Sequence, residues 1–147
     1  MIFNAIATHL IKKTIKDLDL EKVAVNVLKS NTNEIEDVNI SQLEKGENTD
    51  GLLLRPTYRN SQYEAYKRAY KGLKTPSGTP NLRDTGDTHK SIKAFVNAKE
   101  IRFTFIDLYN LESKYGEFIG LNPNGQEVVK DDILRPEMQE EIRKDLR

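Results

Sequence analysis

The stretch Ile101-Arg102-Phe103-Thr104-Phe105 alternates apolar and polar side chains. That period of two belongs to a strand with one face on a core. Residues 92–96 can supply its partner strand, with Asn97 to Glu100 as the turn between them. This is the clearest strand signal in the chain, and most longer periodic segments keep helical spacing instead. The expected fold is therefore α+β: a small antiparallel β-sheet with flanking N-terminal, central and C-terminal helices.

The helical segments follow from apolar spacing and end signals. Residues 2–18 place Phe3, Ile6, Leu10, Ile11 and Leu18 on one side and predict an amphipathic helix. Residues 20–30 fit a helix through Leu20, Val23, Ala24, Val27 and Leu28, or a strand through Val23, Val25 and Val27; the helix is preferred. A short helix is expected at 39–45, capped by Asn39 or Ser41. Asp50-Gly51 marks a turn, and the following Leu-Leu-Leu-Arg-Pro-Thr-Tyr reads as a short strand. Ser61 and Glu64 have capping-box spacing for a central helix that Gly72 would close. Residues 74–80 form a loop, with two prolines and a glycine. A short helix is expected over 107–115 with Asp107 as its cap and Gly116 as its stop, and residues 122–125 suit a type I turn. In the C-terminal helix, Pro136 suits the first turn, and Leu134, Met138, Ile142 and Leu146 form a stripe. Its acids lie early and its bases late, which complements the helix dipole.

Composition excludes several kinds of chemistry. The 147 residues contain no cysteine, so disulfides, thiolate metal sites and a cysteine nucleophile are ruled out. The N-terminal run is interrupted by Asn4, Thr8 and His9 and has no basic leader, so it predicts neither a secretion signal nor a membrane span. A soluble, single-domain chain made in a cytoplasm is expected. Its 23 basic and 23 acidic residues cancel, but they are unevenly placed. Residues 19–50 hold eight acids against three lysines, a net of −5. Residues 55–74 hold Arg55, Arg59, Lys67, Arg68, Lys71 and Lys74 against Glu64 alone, a net of +5. Such segments suit head-to-tail association of identical copies, or pairing within one fold.

Asp84-Thr85-Gly86 is the tripeptide that carries the catalytic carboxylate of an aspartic protease. That chemistry needs two carboxylates sharing one proton in an apolar site. Here Arg83 and Asp87 flank the tripeptide, and a second copy of the motif would have to come from a dimer. An adjacent guanidinium would keep Asp84 ionised, so the preferred reading is a helix start, capped by Asp84 or Thr85, with Asp87 in the first turn. His9 and His89 lack metal-ligand spacing, Asp131-Asp132 reads as a surface pair, and no phosphate-binding glycine motif is present. Neither catalysis nor a cofactor or metal is expected.

The basic segment is also rich in tyrosine. On a helix Tyr63, Tyr66 and Tyr70 fall within about 60° of one another. Lys67 and Lys71 lie on the adjoining arc, with Arg68 beyond. A stacking row beside a cationic row suits a single-stranded nucleic-acid-binding module. Packing and subunit contact by a half-buried helix is the preferred reading of the same pattern.

Leu82, Thr85 and Gly86, followed after a few residues by Ser91 and Ile92 at the entry to a hairpin, form a pattern with the later Tyr115, Gly116, Gly120 and Leu121 and a terminal helix. This order resembles the tail-completion and head–tail connector proteins of tailed bacteriophages. The resemblance covers residues 39–147, while residues 1–38 form a helical N-terminal region that could dock on a partner. It implies a virion structural protein of the neck or tail, joining head to tail as a ring of identical subunits, without catalysis. The implied partners are its own copies, other neck and tail proteins, and DNA passing through the lumen, with no membrane. A closing ring needs heterologous interfaces, for which the acidic and basic segments are the candidates. Arg55 and Arg59 could instead face the lumen.

Overall fold

In the computed structural model, which describes residues 19–145, the chain is an α+β fold in which a two-stranded antiparallel sheet is surrounded by helices. The first helix expected from the sequence, over 2–18, lies outside the described residues, as does Leu146.

Helix α1 (Leu20–Ser30) starts where the Asp19 carboxylate accepts the Lys22 N–H at 3.1 Å. Its buried Ala24, Val25, Val27 and Leu28 follow helical rather than strand spacing. Asn31 ends it and links it to the other terminus: its amide donates to Val27 O and to Glu137 Oε2. Helix α2 (Thr32–Glu44) is longer than the expected 39–45, so Asn39 and Ser41 lie inside it rather than at its start. Its buried side carries Glu36, Asn39 and Gln42 beside Ile35 and Leu43. Polar residues on the buried face broke the apolar period, and distant backbone supplies their partners. Asn39 and Gln42 both donate to Gly120 O, and Asn39 Oδ1 accepts the Gly120 N–H. The expected division at residue 38 therefore falls within α2.

The strand expected after Gly51 does not form. Leu53 makes one isolated bridge to Glu47, and the Leu54 N–H returns to Gly46 O at 2.7 Å. Leu54 is buried against the end of α2, while Leu52 and Leu53 are exposed. Arg55–Pro56 is a cis peptide bond. Gly46 has a φ of +76°, and a Cβ there would strike the Thr79 side chain and crowd Pro80 O, so only glycine suits this crossing of two loops.

Helix α3 (Ser61–Tyr70) is capped by Asn60, whose Oδ1 accepts from Gln62 N and Tyr63 N. The Ser61/Glu64 capping box does not form, because Glu64 Oε1 faces the Gly78 N–H and the Arg68 guanidinium instead. Helix α4 (Asp87–Ser91) leads into β1 (Lys93–Val96), which pairs with β2 (Ile101–Thr104) in the expected hairpin. Helix α5 (Leu111–Tyr115) is shorter than the expected 107–115, yet Asp107 still accepts from Leu111 N and Glu112 N. Asn122-Pro123-Asn124-Gly125 begins a helix, α6 (Pro123–Val128), rather than standing as an isolated turn. A π-helical turn, Val129–Leu134, joins α6 to α7 (Arg135–Asp145). Pro136 lacks an N–H for residue 132 and crowds that carbonyl, and the wider turn lies directly before it.

Most of the buried apolar residues fall into two groups. One gathers Ala24, Val27, Leu28, Ile35, Ala94, Val129, Ile133, Leu134 and Met138 beneath α1 and α7. The other joins Leu43, Leu54, Ile92 and Phe118, with Leu82 and Tyr115 at its edge. Phe103 packs against both, which makes β2 the seam between them.

Candidate functional site

A cleft of about 180 Å³ opens between α3, the loop at 80–88 and the turn at 109–115. Its floor is Lys67. The helical turn that leaves Tyr66 and Tyr70 in solvent points Lys67 inward, so it is only 3% exposed. Its Nζ donates to Tyr58 Oη and Asn81 Oδ1, both at 3.0 Å, and lies 5.6 and 5.9 Å from the ring centres of Tyr58 and Tyr63. Those rings meet edge to face. Burial holds the Lys67 ammonium below its ordinary pKa, against the opposing pull of Asp84 and Glu44. Burial also pushes the Tyr58 hydroxyl up to about 12, so it stays neutral.

Asn81 ties this floor to the rest of the site. Its Oδ1 accepts from Lys67 Nζ and the Arg83 N–H, its amide donates to Glu44 Oε2, and its carbonyl receives His89 Nε2 at 2.9 Å. Because a carbonyl can only accept, Nε2 carries the His89 proton. The bare Nδ1 is then left 3.4 Å from Glu44 Oε1 without a hydrogen bond. Burial depresses the His89 pKa, outweighing the Asn81 carbonyl and Glu44. Glu44 also receives Arg83 at 2.8 Å.

This arrangement corrects the expected setting of Asp84-Thr85-Gly86. The guanidinium of Arg83 is engaged with Glu44, and Asp84 takes its hydrogen bond from Tyr63 Oη at 3.3 Å. Thr85 makes the local contact at the helix start: its Oγ1 accepts from Asp87 N and donates to Asp87 Oδ2. Gly86 adopts a φ of +88° at the head of α4, where no side chain caps. Leu82, at φ +56°, also holds a left-handed conformation.

The motif residues converge in part. Leu82, Asp84, Thr85, Gly86 and Tyr115 line the cleft. Ile92 lies in the core behind it, Ser91 Oγ accepts the Ile106 N–H and donates to Thr88 O, and Gly116 closes α5. Asn81 and Glu44 were not singled out by pattern. Asn81 follows Pro80 in a loop and gives only a turn signal, because its four partners are distant or backbone groups.

The basic segment separates into two sets. Lys67 is buried, and Arg68 is engaged with Glu64, Thr75 O and Pro76 O. Arg55, Arg59, Lys71 and Lys74 are exposed and form no ion pair with another described residue. The acidic segment divides similarly. Glu36, Glu44 and Glu47 bond within the fold, whereas Glu21, Glu34, Asp37 and Asp50 stay exposed without such a partner. Tyr66 is half exposed and Tyr70 largely so, with ring centres 5.4 Å apart, which leaves this face open among the described residues.

Chemically, the cleft presents an ammonium at its floor, tyrosines on its walls, and Arg83, Asp84 and Asp87 along its lining. Among the described residues no cluster of three or more His, Asp or Glu is placed to hold a metal ion, and no helix is long and apolar enough to cross a membrane. Comparison with protein-family models, curated proteins and solved structures finds no match to this chain.

Proposed function

We propose that this chain is a structural subunit that joins head to tail with copies of itself in the neck or tail of a tailed-bacteriophage virion, without catalysis of its own. The observation that carries this reading is the matched pair of unused charge sets. Four acids on α1, α2 and the following turn, and four cations flanking α3, are exposed and unpaired with other described residues. Unpaired exposed charges of both signs on one subunit favour a heterologous contact, which closes into a ring when the rotation allows. Leu52, Leu53, Tyr66 and Tyr70 supply exposed apolar surface beside these charges in the sequence. The sequence resemblance to connector proteins adds the virion setting.

Charge reversal tests it by sedimentation velocity at low salt. Glu34→Lys with Asp37→Lys, and Arg55→Glu with Arg59→Glu, should each abolish association of the chain. Mixing the two variants should restore it, because every contact in an alternating assembly is again opposite in sign. A chain that remains monomeric at all salt concentrations and enters no virion would refute the proposal.

The exposed Tyr66–Tyr70 pair favours one second reading, a single-stranded nucleic-acid-binding module in which bases stack on those rings. Its phosphate contacts would then fall to Arg55, Arg59, Lys71 and Lys74 rather than Lys67 and Arg68. Steep salt dependence of oligonucleotide binding, lost when Lys71 and Lys74 become Gln, would favour it.

A further inference from the structure

The cleft between α3 and the loop at 80–88 has no part in the charge-matched contact, and its own charges are ordered by depth. Its lining runs from Tyr58 to Tyr115, wholly within the described residues. A cation lies at the bottom: Lys67 is buried, and Tyr58 Oη and Asn81 Oδ1 accept two of its three N–H groups. Both acceptors are neutral. A buried ammonium with one N–H beside an open space is best satisfied by an anionic acceptor.

The mouth carries the opposite sign. Asp84 and Asp87 are exposed there. Arg83 does not neutralise them, because its guanidinium bonds Glu44 at 2.8 Å. Their side chains receive neutral donors instead, Tyr63 Oη for Asp84 and Thr85 Oγ1 for Asp87. Tyr63 spans the two levels: its ring centre is 5.9 Å from Lys67 Nζ and its hydroxyl 3.3 Å from Asp84 Oδ1. One tyrosine ring therefore separates the floor charge from the mouth charge.

This order selects a ligand. Two carboxylates at the mouth repel a dianion such as phosphate, and they attract a group of positive charge. At about 180 Å³ the space is smaller than the roughly 300 Å³ at which sites for drug-sized molecules begin. Leu82 and Leu111 add apolar wall beside the tyrosines. A small zwitterion with an apolar body meets all three conditions.

We propose that this cleft binds a free α-amino acid with an apolar side chain, its carboxylate on Lys67 Nζ and its ammonium against Asp84 and Asp87. A terminal residue of a peptide cannot replace it, because its amide bond removes one charge or the other. The site goes beyond the assembly reading and is independent of it.

Nuclear magnetic resonance titration of the full-length chain tests it, with leucine, isoleucine, methionine and phenylalanine as free amino acids. At least one should shift the amides of Tyr63 and Thr85 saturably. The amide of the tightest binder, which lacks the carboxylate, should bind roughly 10-fold more weakly or worse, and Lys67→Met should weaken the amino acid by a similar factor. The deaminated acid, and the amino acid on Asp84→Asn, should each lose about 3-fold, since the mouth is solvated. No saturable shift from any of the four at about 10 mM would overturn the proposal. So would an amide that binds as tightly as its amino acid, a deaminated acid that binds more tightly, or unchanged binding to Lys67→Met. The comparison of ligands on the parent chain decides the matter even if a variant fails to fold.

Discussion

The interior beneath α1 and α7 and the interior around Asn81 are built on opposite principles. The first is closed by Ala24, Val27, Leu28, Ile35, Leu134 and Met138, side chains whose attraction has no direction. The second is closed by Lys67, His89, Asn81 and Glu44, each held by a particular donor or acceptor. Loss of any member of the apolar group leaves a void, and the cost scales with its size. In the polar group the cost depends on which partner is removed, because a buried group left unsatisfied costs more than its bond contributed. Truncations of both kinds test this contrast.

The largest effects belong to the apolar side chains, both beneath α1 and α7 and in the neighbouring group around Phe118. Phe118→Ala and Leu134→Ala, at positions 1% and 0% exposed, should each lower unfolding free energy by about 3–5 kcal/mol. Urea denaturation reads this as a lower midpoint at unchanged slope. Losses under about 1 kcal/mol would mean that these side chains are not in a packed core.

Asn81→Ala should follow. It strips an acceptor from the Lys67 ammonium and the Arg83 N–H and a donor from Glu44, at an expected cost of about 2–3 kcal/mol. No core truncation of equal volume would be so damaging, since an Asn side chain is small. A cost below about 0.5 kcal/mol would show that water replaces Asn81 and that the contrast is overdrawn.

The same division governs what could be read in the sequence. Hairpin, α1, α3 and α7 were legible because their information is local: alternation at 101–105, a 3.6-residue period, and an acid-to-base gradient from Glu137 to Lys144. The N-terminus of α2 was not, since Glu36, Asn39 and Gln42 occupy its buried face and are satisfied by Ala94 and the backbone at 120–122. The expected strand at 52–58 failed for a related reason: Leu54 turns back to Gly46 rather than to a partner strand. At the candidate site, Asp84 and Thr85 stood out by motif, whereas Asn81, on which the network converges, carries no pattern. Its role depends on residues 44, 67, 83 and 89 meeting in space.

His89 gives the contrast a dependence on pH. Its pKa lies below the ordinary 6.5 because burial disfavours the imidazolium, with Arg83 and Lys67 acting in the same direction and Glu44 opposing them. As pH falls through 6.5 the unfolded chain takes up a proton that the folded chain does not, so stability must decline. The slope reaches at most about 1.4 kcal/mol per pH unit and ends at the folded-state pKa. His89→Gln keeps an N–H for the Asn81 carbonyl and should remove this part of the acid destabilisation. The difference between the two chains, followed by urea denaturation from pH 7.5 downward, isolates it from the carboxylates. Parallel pH profiles would show that His89 titrates normally in the fold.

Lys67→Met is expected to have the smallest effect and to separate the two interiors most sharply. The ammonium is buried with two neutral acceptors, and no carboxylate of a described residue lies within ion-pair distance of it. Its desolvation therefore opposes most of what its hydrogen bonds contribute. Methionine keeps the aliphatic stem against Tyr58 and Tyr63 and removes the charge. It leaves Asn81 Oδ1 the Arg83 N–H and leaves the Tyr58 hydroxyl room to reorient toward the cleft. Removing a charge in this way is often neutral or stabilising, so the variant should unfold within about 1 kcal/mol of the parent chain, in either direction. If the loss instead matches that of Phe118→Ala, Lys67 contributes a net favourable interaction that its geometry does not reveal, and the buried charge would be part of what holds the cleft together.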